Sequence, residues 1–440
     1  MKNDKKANRF YFSKSVYCAC IAITAILFLS CNNGDTQPKN SYGAKTRELI
    51  AIVAKYPKMK SLLAHAINKG REINPDTTTN PVKNLEDFYQ FVSWAETAMP
   101  WDLIRHTEHA TLYNRIDQSL GYLFFITDIP LPELEGKGYF NNSLQYEEPF
   151  CSWLTSFDKG WGSFLDTKQS WNAAYYKLAL SEEKFGLQND WYEDPSHWET
   201  FNQFFTRRLK SPDKRPVSSP SDESIVVSPA DAAPQGVWKI DSNSGIVGQE
   251  GVPIKTATVY SVKSLIGDSS QYKDAFQGGT ITHTFLDVGD YHRYHFPLSG
   301  TVKEARVISA TNTAGGYVTW DAREKRYVFN PGSIGWQAIE TRGCVILETD
   351  QYGLVALLPI GMSPVSSIQF STAIKQGSRI KKGDEMGMFL FGGSDFVMVF
   401  QKQADFTITC PKEEGRHSFK HLLMGERYGK LTLLTTSKQH

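Results

Sequence analysis

The chain reads Ile380-Lys-Lys-Gly-Asp-Glu-Met-Gly-Met-Phe-Leu-Phe-Gly-Gly-Ser-Asp-Phe-Val-Met-Val-Phe400 near its C-terminus. Two strand-like apolar runs flank Gly392-Gly393-Ser394, which predicts that these three residues form a tight turn. The pattern extends upstream, because from Ile225 onward short runs rich in Val, Ile, Thr and Phe alternate with Gly, Asp, Asn and Pro. This half of the chain is therefore predicted to consist of β-strands.

Five segments are the clearest strand candidates: Thr256–Val262, Thr280–Leu286, Cys344–Glu348, Gly353–Leu358 and Phe396–Phe400. The connections between strands are short, and no helical pattern alternates with them. Both features favour an antiparallel sheet system over a doubly wound parallel sheet.

The residues before this region have a helical pattern. Apolar residues recur at helical spacing between Ala44 and Gly70, and Asn84 is placed to cap the next helix. Ser170 is placed to cap a later helix that runs to Leu180, and a further helix is predicted over His197–Leu209.

The predicted fold class is therefore α+β. A mainly α-helical accessory domain at 44–210 precedes a mainly antiparallel β catalytic domain at 211–440. The boundary is placed in the Pro-rich stretch that begins at Ser211.

The first thirty residues have the features of an export signal. A basic stretch from Lys2 to Lys14 precedes an apolar run from Val16 to Ser30, shorter than the about 20 residues of a membrane span. The end of this run, Leu27-Phe-Leu-Ser-Cys31, resembles a bacterial lipoprotein signal. It predicts a signal peptide at 1–30, a lipid on Cys31 and a flexible tether at 31–43. The body would then be exported and anchored to a membrane of the cell envelope, and an uncleaved N-terminal anchor is the alternative.

Charge and cysteine content argue against several classes of protein. The formal net charge is +1, from 48 basic and 47 acidic residues, whereas nucleic-acid binding usually leaves a basic footprint. The cysteines beyond the N-terminal segment are widely spaced and match neither a disulfide framework nor a metal motif. Buried thiols are therefore predicted at Cys151, Cys344 and Cys410, and no metal is expected.

Gly393-Ser394 is a bond at which a chain can cut itself, although most Gly-Ser pairs in hairpin turns stay intact. In a strained turn the serine hydroxyl attacks the preceding carbonyl and moves the acyl group from nitrogen to oxygen. Elimination of the ester and hydrolysis then leave an N-terminal pyruvoyl group. This route needs a base for the hydroxyl and a partner that orients the base.

Two histidines and one aspartate are candidates for these roles. His292 and His295 are the candidate bases, and Asp231, which follows Ser228-Pro-Ala, is the candidate orienting acid. Local pattern alone also fits structural histidines and a turn-capping aspartate. On a regular strand the two histidines would point to opposite faces, so a shared site would need a bend between them.

Five motifs in this order resemble those of phosphatidylserine decarboxylases: Thr200-Phe-Asn-Gln-Phe-Phe-Thr-Arg-Arg-Leu-Lys210, Arg215-Pro216, Ser228-Pro-Ala-Asp231, Asp290-Tyr-His-Arg-Tyr-His-Phe-Pro297, and Lys382-Gly-Asp-Glu-Met-Gly-Met-Phe389 with Gly393-Ser394. The resemblance implies self-cleavage between Gly393 and Ser394, in which Ser394 attacks, His295 is the base and Asp231 orients it. It also implies that Ser394 becomes the pyruvoyl cofactor, that His292 acts in decarboxylation, and that phosphatidylserine is the substrate.

Three positions depart from the family pattern. Ala232 stands where the family usually has Gly, Val365-Ser366 where it has Val-Gly, and Gly392-Gly-Ser-Asp395 where it has Leu-Gly-Ser-Thr. The scissile Gly-Ser pair is retained, so maturation is expected. Asp395 would lie beside the pyruvoyl group and bear on the choice of substrate.

The helical region carries a second resemblance. Its patterns at Leu120-Gly-Tyr-Leu-Phe-Phe125, Trp161-Gly-Ser-Phe-Leu165 and Ser170 look like a divergent branch that includes fungal decarboxylases of free aromatic amino acids. A free amino acid is therefore the alternative substrate. A catalytically inactive, surface-binding lipoprotein is the non-enzymatic alternative, and a homo-oligomer is compatible with the sequence, which does not fix the oligomeric state.

Overall fold

The computed structural model describes most of the chain beyond residue 41. The described residues are 42–100, 116–138, 141–247, 253–254, 257–258, 261–309, 316–330, 336–361, 368–414 and 418–434. They belong to one compact unit that spans residues 42–440. The predicted signal peptide at 1–30, Cys31 and Val365-Ser366 lie outside them. Within them, no helix is both long and apolar enough to cross a bilayer.

Helices dominate the first half of the described chain, as the apolar periodicity predicts. The α-helices are α1 (Ala44–Lys55), α2 (Pro57–Ile73), α3 (Leu85–Ala95), α4 (Ile116–Asp128), α5 (Phe150–Leu165), α6 (Ala173–Ser181), α7 (Phe201–Phe205) and α8 (Val262–Ile266). The predicted cap of α3 is confirmed, because the Asn84 side chain accepts a hydrogen bond of 3.0 Å from the backbone N–H of Asp87. The apolar faces of α1 to α5 contribute to one buried core.

Two helix predictions are wrong in detail. Ser170 does not cap a helix, because its hydroxyl bonds to the Thr167 carbonyl (2.7 Å), and Asn172 caps α6 instead. The helix predicted over His197–Leu209 is reduced to α7. Thr200 begins this short helix through a reciprocal capping box.

The second half consists mainly of strands. They are β1 (Ile225–Val227), β2 (Ala233–Lys239), β3 (Pro253–Ile254), β4 (Ala257–Thr258), β5 (Thr280–Phe285), β6 (Arg293–His295), β7 (Gly300–Ile308), β8 (Tyr317–Asp321), β9 (Arg326–Asn330), β10 (Thr341–Glu348), β11 (Leu354–Gly361), β12 (Ile368–Phe370), β13 (Arg379–Ile380), β14 (Glu385–Phe389), β15 (Gly393–Phe400), β16 (Ala404–Ile408) and β17 (Arg427–Leu433). The strand pairs recorded among the described residues are all antiparallel, which confirms the α+β class. The strand predicted over Thr256–Val262 is wrong at its C-terminal end, where α8 begins.

The largest sheet has the strand order β13-β7-β10-β11-β15-β5-β2. Within it, β15 is hydrogen-bonded to β11 on one side and to β5 on the other. Side chains of β15 alternate between two cores: Phe396 and Met398 face one, Val397 and Val399 the other. β15 is thus fixed along both edges and both faces, and it provides a rigid base for the residues at its N-terminal end.

The hairpin of β8 and β9 packs on the helices. The ring of Tyr327 in β9 lies 5.4 Å from that of Tyr122 and 5.0 Å from that of Phe125, both in α4. Its hydroxyl donates to the Thr79 carbonyl (2.6 Å) and accepts from the side-chain amide of Asn74 (3.0 Å). Part of the β-rich half therefore shares a core with the helical region.

The variant Tyr327→Phe is expected to lower the free energy of unfolding by about 1–3 kcal/mol, because the buried Asn74 amide loses an acceptor while the ring packing is kept. Equilibrium urea unfolding measures this change. Tyr56→Phe is the matched control, since Tyr56 is 40% exposed, and it should shift stability by less than about 0.5 kcal/mol. Equal losses in the two variants would contradict the proposed contribution of the Tyr327 hydroxyl.

Candidate active site

The turn before β15 is shorter than predicted. β15 begins at Gly393, which pairs with Gly361 of β11, so the turn consists of Phe391 and Gly392 rather than of residues 392–394. Gly392 has a φ of 102°, which glycine adopts readily and other residues rarely do. The backbone therefore bends sharply just before the predicted scissile bond between Gly393 and Ser394. Of Ser394, only the backbone is described.

Phe391 anchors this turn in a cluster of aromatic rings. Its ring centroid lies 5.3 Å from Trp161 of α5, and 5.6 Å and 5.3 Å from Phe201 and Phe205 of α7. Its backbone N–H also donates to the side-chain oxygen of Asn202 (3.3 Å). Residues of the helical region therefore hold the segment that precedes the predicted cleavage site.

His292 lies beside the same cluster. Its ring stacks on Phe205 with 3.8 Å between centroids, and its carbonyl accepts a hydrogen bond from the Phe389 N–H (2.9 Å). Nδ1 donates to the Asp290 carbonyl (2.9 Å), whereas the buried Nε2 has no hydrogen-bond partner in the described part of the chain. Burial, and then the charge of Arg207, lower the pKa of His292 to about 3. His292 is thus a neutral imidazole whose basic nitrogen is uncommitted.

His295 lies at the other end of β6 and has both ring nitrogens bonded. Nδ1 donates to the Gly383 carbonyl (2.8 Å), and Nε2 accepts from the Tyr291 hydroxyl (3.1 Å). The backbone N–H of His295 donates to the Pro229 carbonyl (2.7 Å), which ties β6 to the segment that carries Asp231. Burial lowers the pKa of His295, so the neutral form is favoured here as well.

Asp231 is bound to Arg215. Nε and Nη2 of Arg215 donate to the two carboxylate oxygens at 3.0 and 2.7 Å, and the Met424 N–H donates to Oδ1 (2.7 Å). Both side chains are buried, and the guanidinium lies 4.3 Å from the ring centroid of Trp191. The structure thus brings Asp231 and His295 into neighbouring segments without a direct hydrogen bond between their side chains.

A cavity of about 650 Å³ opens beside His295. Tyr291, Arg215 and Met424 contribute to its lining, whereas His292 and Phe391 are not among the described residues that line it. The two histidines therefore occupy separate environments, one against the aromatic cluster and one against the cavity.

Asp395 is fully buried directly after the predicted cleavage site. Oδ1 accepts from Nδ1 of His283 (3.1 Å), and Oδ2 accepts from the side-chain amide of Gln337 (2.8 Å). The His283 ring in turn stacks on Trp238, with 5.4 Å between centroids. Asp395, which stands where the family pattern has Thr, is therefore hydrogen-bonded to His283 and Gln337.

The structure also bears on the cysteines and on metal binding. Cys151, Cys344 and Cys410 are buried thiols outside any disulfide, as predicted. Among the residues that the structure describes, no group of three or more His, Cys, Asp or Glu side chains is arranged to hold a metal ion.

Four residues near the candidate site were assigned no role from the sequence. Arg207 and Arg215 stand within the quoted motifs, so their positions gave a signal, but their buried side chains could not be foreseen from local pattern. His283 and Gln337 carry no local signal. They reach Asp395 only because β5 and the 3-10 helix at Trp336–Ile339 come together in the fold.

Comparisons with known proteins match this region. A family model described as phosphatidylserine decarboxylase matches residues 201–430. The phosphatidylserine decarboxylase proenzyme of Clostridium perfringens is 30% identical over 247 residues, which are 56% of this chain and 75% of that protein. The corresponding proenzyme of Pseudoalteromonas translucida is 31% identical over 250 residues, 53% of this chain and 83% of that protein.

A third relative has a different name. Decarboxylase iboD of Amanita muscaria is 27% identical over 283 residues, which are 58% of this chain and 78% of that protein. The matched family region spans more than half of the chain and contains Asp231, His292, His295 and Ser394. The chain therefore belongs to the phosphatidylserine decarboxylase family and is a decarboxylase.

Proposed function

We propose that this decarboxylase is pyruvoyl-dependent and that it matures by cutting its own chain between Gly393 and Ser394. The observation that carries the proposal is the sharp bend at Gly392, directly before a Gly-Ser bond at the start of a strand that is fixed on all sides. We propose that this bend leaves the Gly393 carbonyl open to attack by the Ser394 hydroxyl.

The maturation chemistry needs only the chain and water. The Ser394 hydroxyl forms an ester with the Gly393 carbonyl carbon as the peptide C–N bond breaks. Elimination then releases Gly393 as a carboxylate and leaves a dehydroalanine, and hydrolysis of the dehydroalanine gives ammonia and the pyruvoyl group. The proton of the hydroxyl must pass to a base, and a neutral histidine with a fixed tautomer suits this role.

Ser394→Ala is expected to leave one uncleaved chain, because no hydroxyl remains to start the acyl shift. A denaturing gel with intact-mass analysis measures the result, and the wild type should give a fragment of residues 394–440. Ser371→Ala is the control for a serine outside the cleavage site and should be cut like the wild type. Cleavage of Ser394→Ala at the same bond would contradict the proposal, and a wild-type chain that stays whole would favour an inactive binding protein.

We assign the two histidines to different steps. His295, held near the Asp231 segment, is the base for self-cleavage. Its Nδ1 is a donor, so the basic nitrogen is Nε2, which accepts a hydrogen bond from the Tyr291 hydroxyl (3.1 Å). His292 serves decarboxylation, because its Nε2 is free to exchange a proton and lies beside the aromatic cluster of Phe391.

The residues present fit a pyruvoyl group derived from Ser394, since an uncommitted buried nitrogen of His292 lies in the cluster that anchors the preceding residues. Such a group supplies a conjugated carbonyl that accepts the electron pair released as carbon dioxide leaves. We assign the proton transfer at the substrate α-carbon to His292, through its Nε2. As a neutral ring, it forms no ion pair that would stabilise the carboxylate before the reaction.

His295→Ala is expected to block or greatly slow self-cleavage, because the hydroxyl loses its base. His292→Ala is expected to cleave normally. Its rate of carbon dioxide release is expected to fall by at least about 100-fold, because a general acid–base is lost. Intact mass measures cleavage, and carbon dioxide release is normalised to the cleaved fraction. His197→Ala is the control, because His197 is exposed. Reversed phenotypes of the two variants would contradict this division of roles.

Phosphatidylserine is the substrate that we propose first. The relatives from Clostridium perfringens and Pseudoalteromonas translucida, 30% and 31% identical, are named as phosphatidylserine decarboxylase proenzymes, and the five motifs of that family are present in order. The N-terminal segment supports this choice, since a lipid on Cys31 would anchor the exported protein at a membrane, where a phospholipid substrate lies.

A free amino acid, aromatic in the first instance, is the second candidate. It is favoured by the buried Asp395 directly after Ser394, where the family pattern has Thr, and by the resemblance of the helical region to fungal decarboxylases of free aromatic amino acids. A buried Asp395 side chain, hydrogen-bonded to His283 and Gln337 next to the reacting residue, is a different polar setting from a threonine.

Release of carbon dioxide from carboxyl-labelled substrates separates the two candidates. Purified protein is incubated with phosphatidylserine in vesicles, with serine and with tryptophan, and Ser394→Ala gives the background. Turnover of phosphatidylserine alone is the expected result. Turnover of tryptophan without phosphatidylserine would replace the lipid by the free amino acid as substrate.

A further inference from the structure

Arg207 is a buried cation with an unusual set of partners. Its side chain is inaccessible to solvent, and Nη2 donates to the carbonyls of Phe185 (3.2 Å), Gly289 (2.7 Å) and Asp290 (3.0 Å). The guanidinium lies 4.5 Å from the ring centroid of Tyr192. Nε and Nη1 have no hydrogen-bond partner, and no ion pair to a carboxylate is recorded for Arg207, within the described residues. A cation held this way is costly, which suggests a role beyond packing.

The Asp290 carbonyl joins Arg207 to His292. This oxygen accepts from Arg207 Nη2 at 3.0 Å and from His292 Nδ1 at 2.9 Å. A carbonyl oxygen only accepts, so the ring nitrogen that faces it must carry the proton. The hydrogen bond that Arg207 makes to the neighbouring Gly289 carbonyl fixes the direction of this backbone segment.

The charge of Arg207 acts on the same ring. After burial, Arg207 is the next cause that lowers the pKa of His292, because a nearby cation disfavours a second positive charge. Geometry and charge thus favour the same state, a neutral His292 with its proton on Nδ1 and an open Nε2.

We propose that Arg207 is a positioning residue for decarboxylation: it holds the Gly289–Asp290 carbonyls so that His292 keeps its proton on Nδ1 and presents Nε2 as the base. What His292 does in the reaction rests on the proposed function. Its tautomer does not, so the two can be tested separately.

The first test reads the tautomer without any activity. Full-length protein carrying Ser394→Ala and ¹⁵N-labelled histidine is examined by NMR at pH 7, with His292→Gln to assign the signals. We expect His292 to show a protonated Nδ1 and an unprotonated Nε2. A proton on Nε2, or on both nitrogens, would overturn the proposal whatever the enzyme turns over.

The second test changes Arg207. Arg207→Met is expected to give a mixture of His292 tautomers and, per cleaved chain, about 10–100-fold lower kcat with KM changed less than about twofold. Arg207→Lys keeps the charge but cannot donate to the same carbonyls, so His292 should again show a mixture of tautomers. This variant replaces Arg207→Met in the test if the methionine variant does not fold.

Arg342→Met is the matched control. Arg342 is also buried, and its guanidinium donates to the backbone carbonyls of Leu265 (2.6 Å), Glu340 (2.8 Å) and Ser264 (2.8 Å). Its loss should lower stability without changing the His292 tautomer. An Arg207 variant with the wild-type tautomer and kcat would refute the proposal, while absence of carbon dioxide release from the wild type would refute the proposed function alone.

Discussion

Phe391 packs against Trp161, Phe201 and Phe205, and the arrangement of the candidate site depends on this contact. The rings belong to α5 and α7, so the helical region fixes the residue that precedes the bend at Gly392. Phe205 also stacks on His292, and the same apolar cluster therefore surrounds the histidine. Burial of these rings provides a dry environment in which a second proton on the imidazole, and the positive charge it brings, is disfavoured.

Much of the fold could be predicted because it depends on local pattern. The apolar spacing in α1 and α2 and the Asn84 cap act over a few residues, and the strand runs show the same locality. In one wrong prediction, a contact distant in sequence contributed. The Ser170 hydroxyl, for example, also accepts a hydrogen bond from the Phe201 N–H (2.9 Å), so it joins two segments rather than capping a helix.

The candidate site also has residues that the sequence could indicate and contacts that it could not. The motifs were sufficient to single out Asp231, His292 and His295, and alternation along a strand predicted that the histidines face different ways. The sequence could not show that Arg215 neutralises Asp231, nor that His283 and Gln337 bind Asp395. Each of these contacts joins strands or helices brought together only by folding, and buried charges require such partners.

The central place of β15 has a consequence for the protein if it is cut at the N-terminal end of this strand, as proposed. Residues 395–400 would keep their ladder hydrogen bonds to β11 and β5, and β17 would remain paired with β1. The two pieces would then form an obligate heterodimer whose interface is the hydrophobic core itself. Dilution would not separate such subunits, since dissociation would require the sheet to unfold.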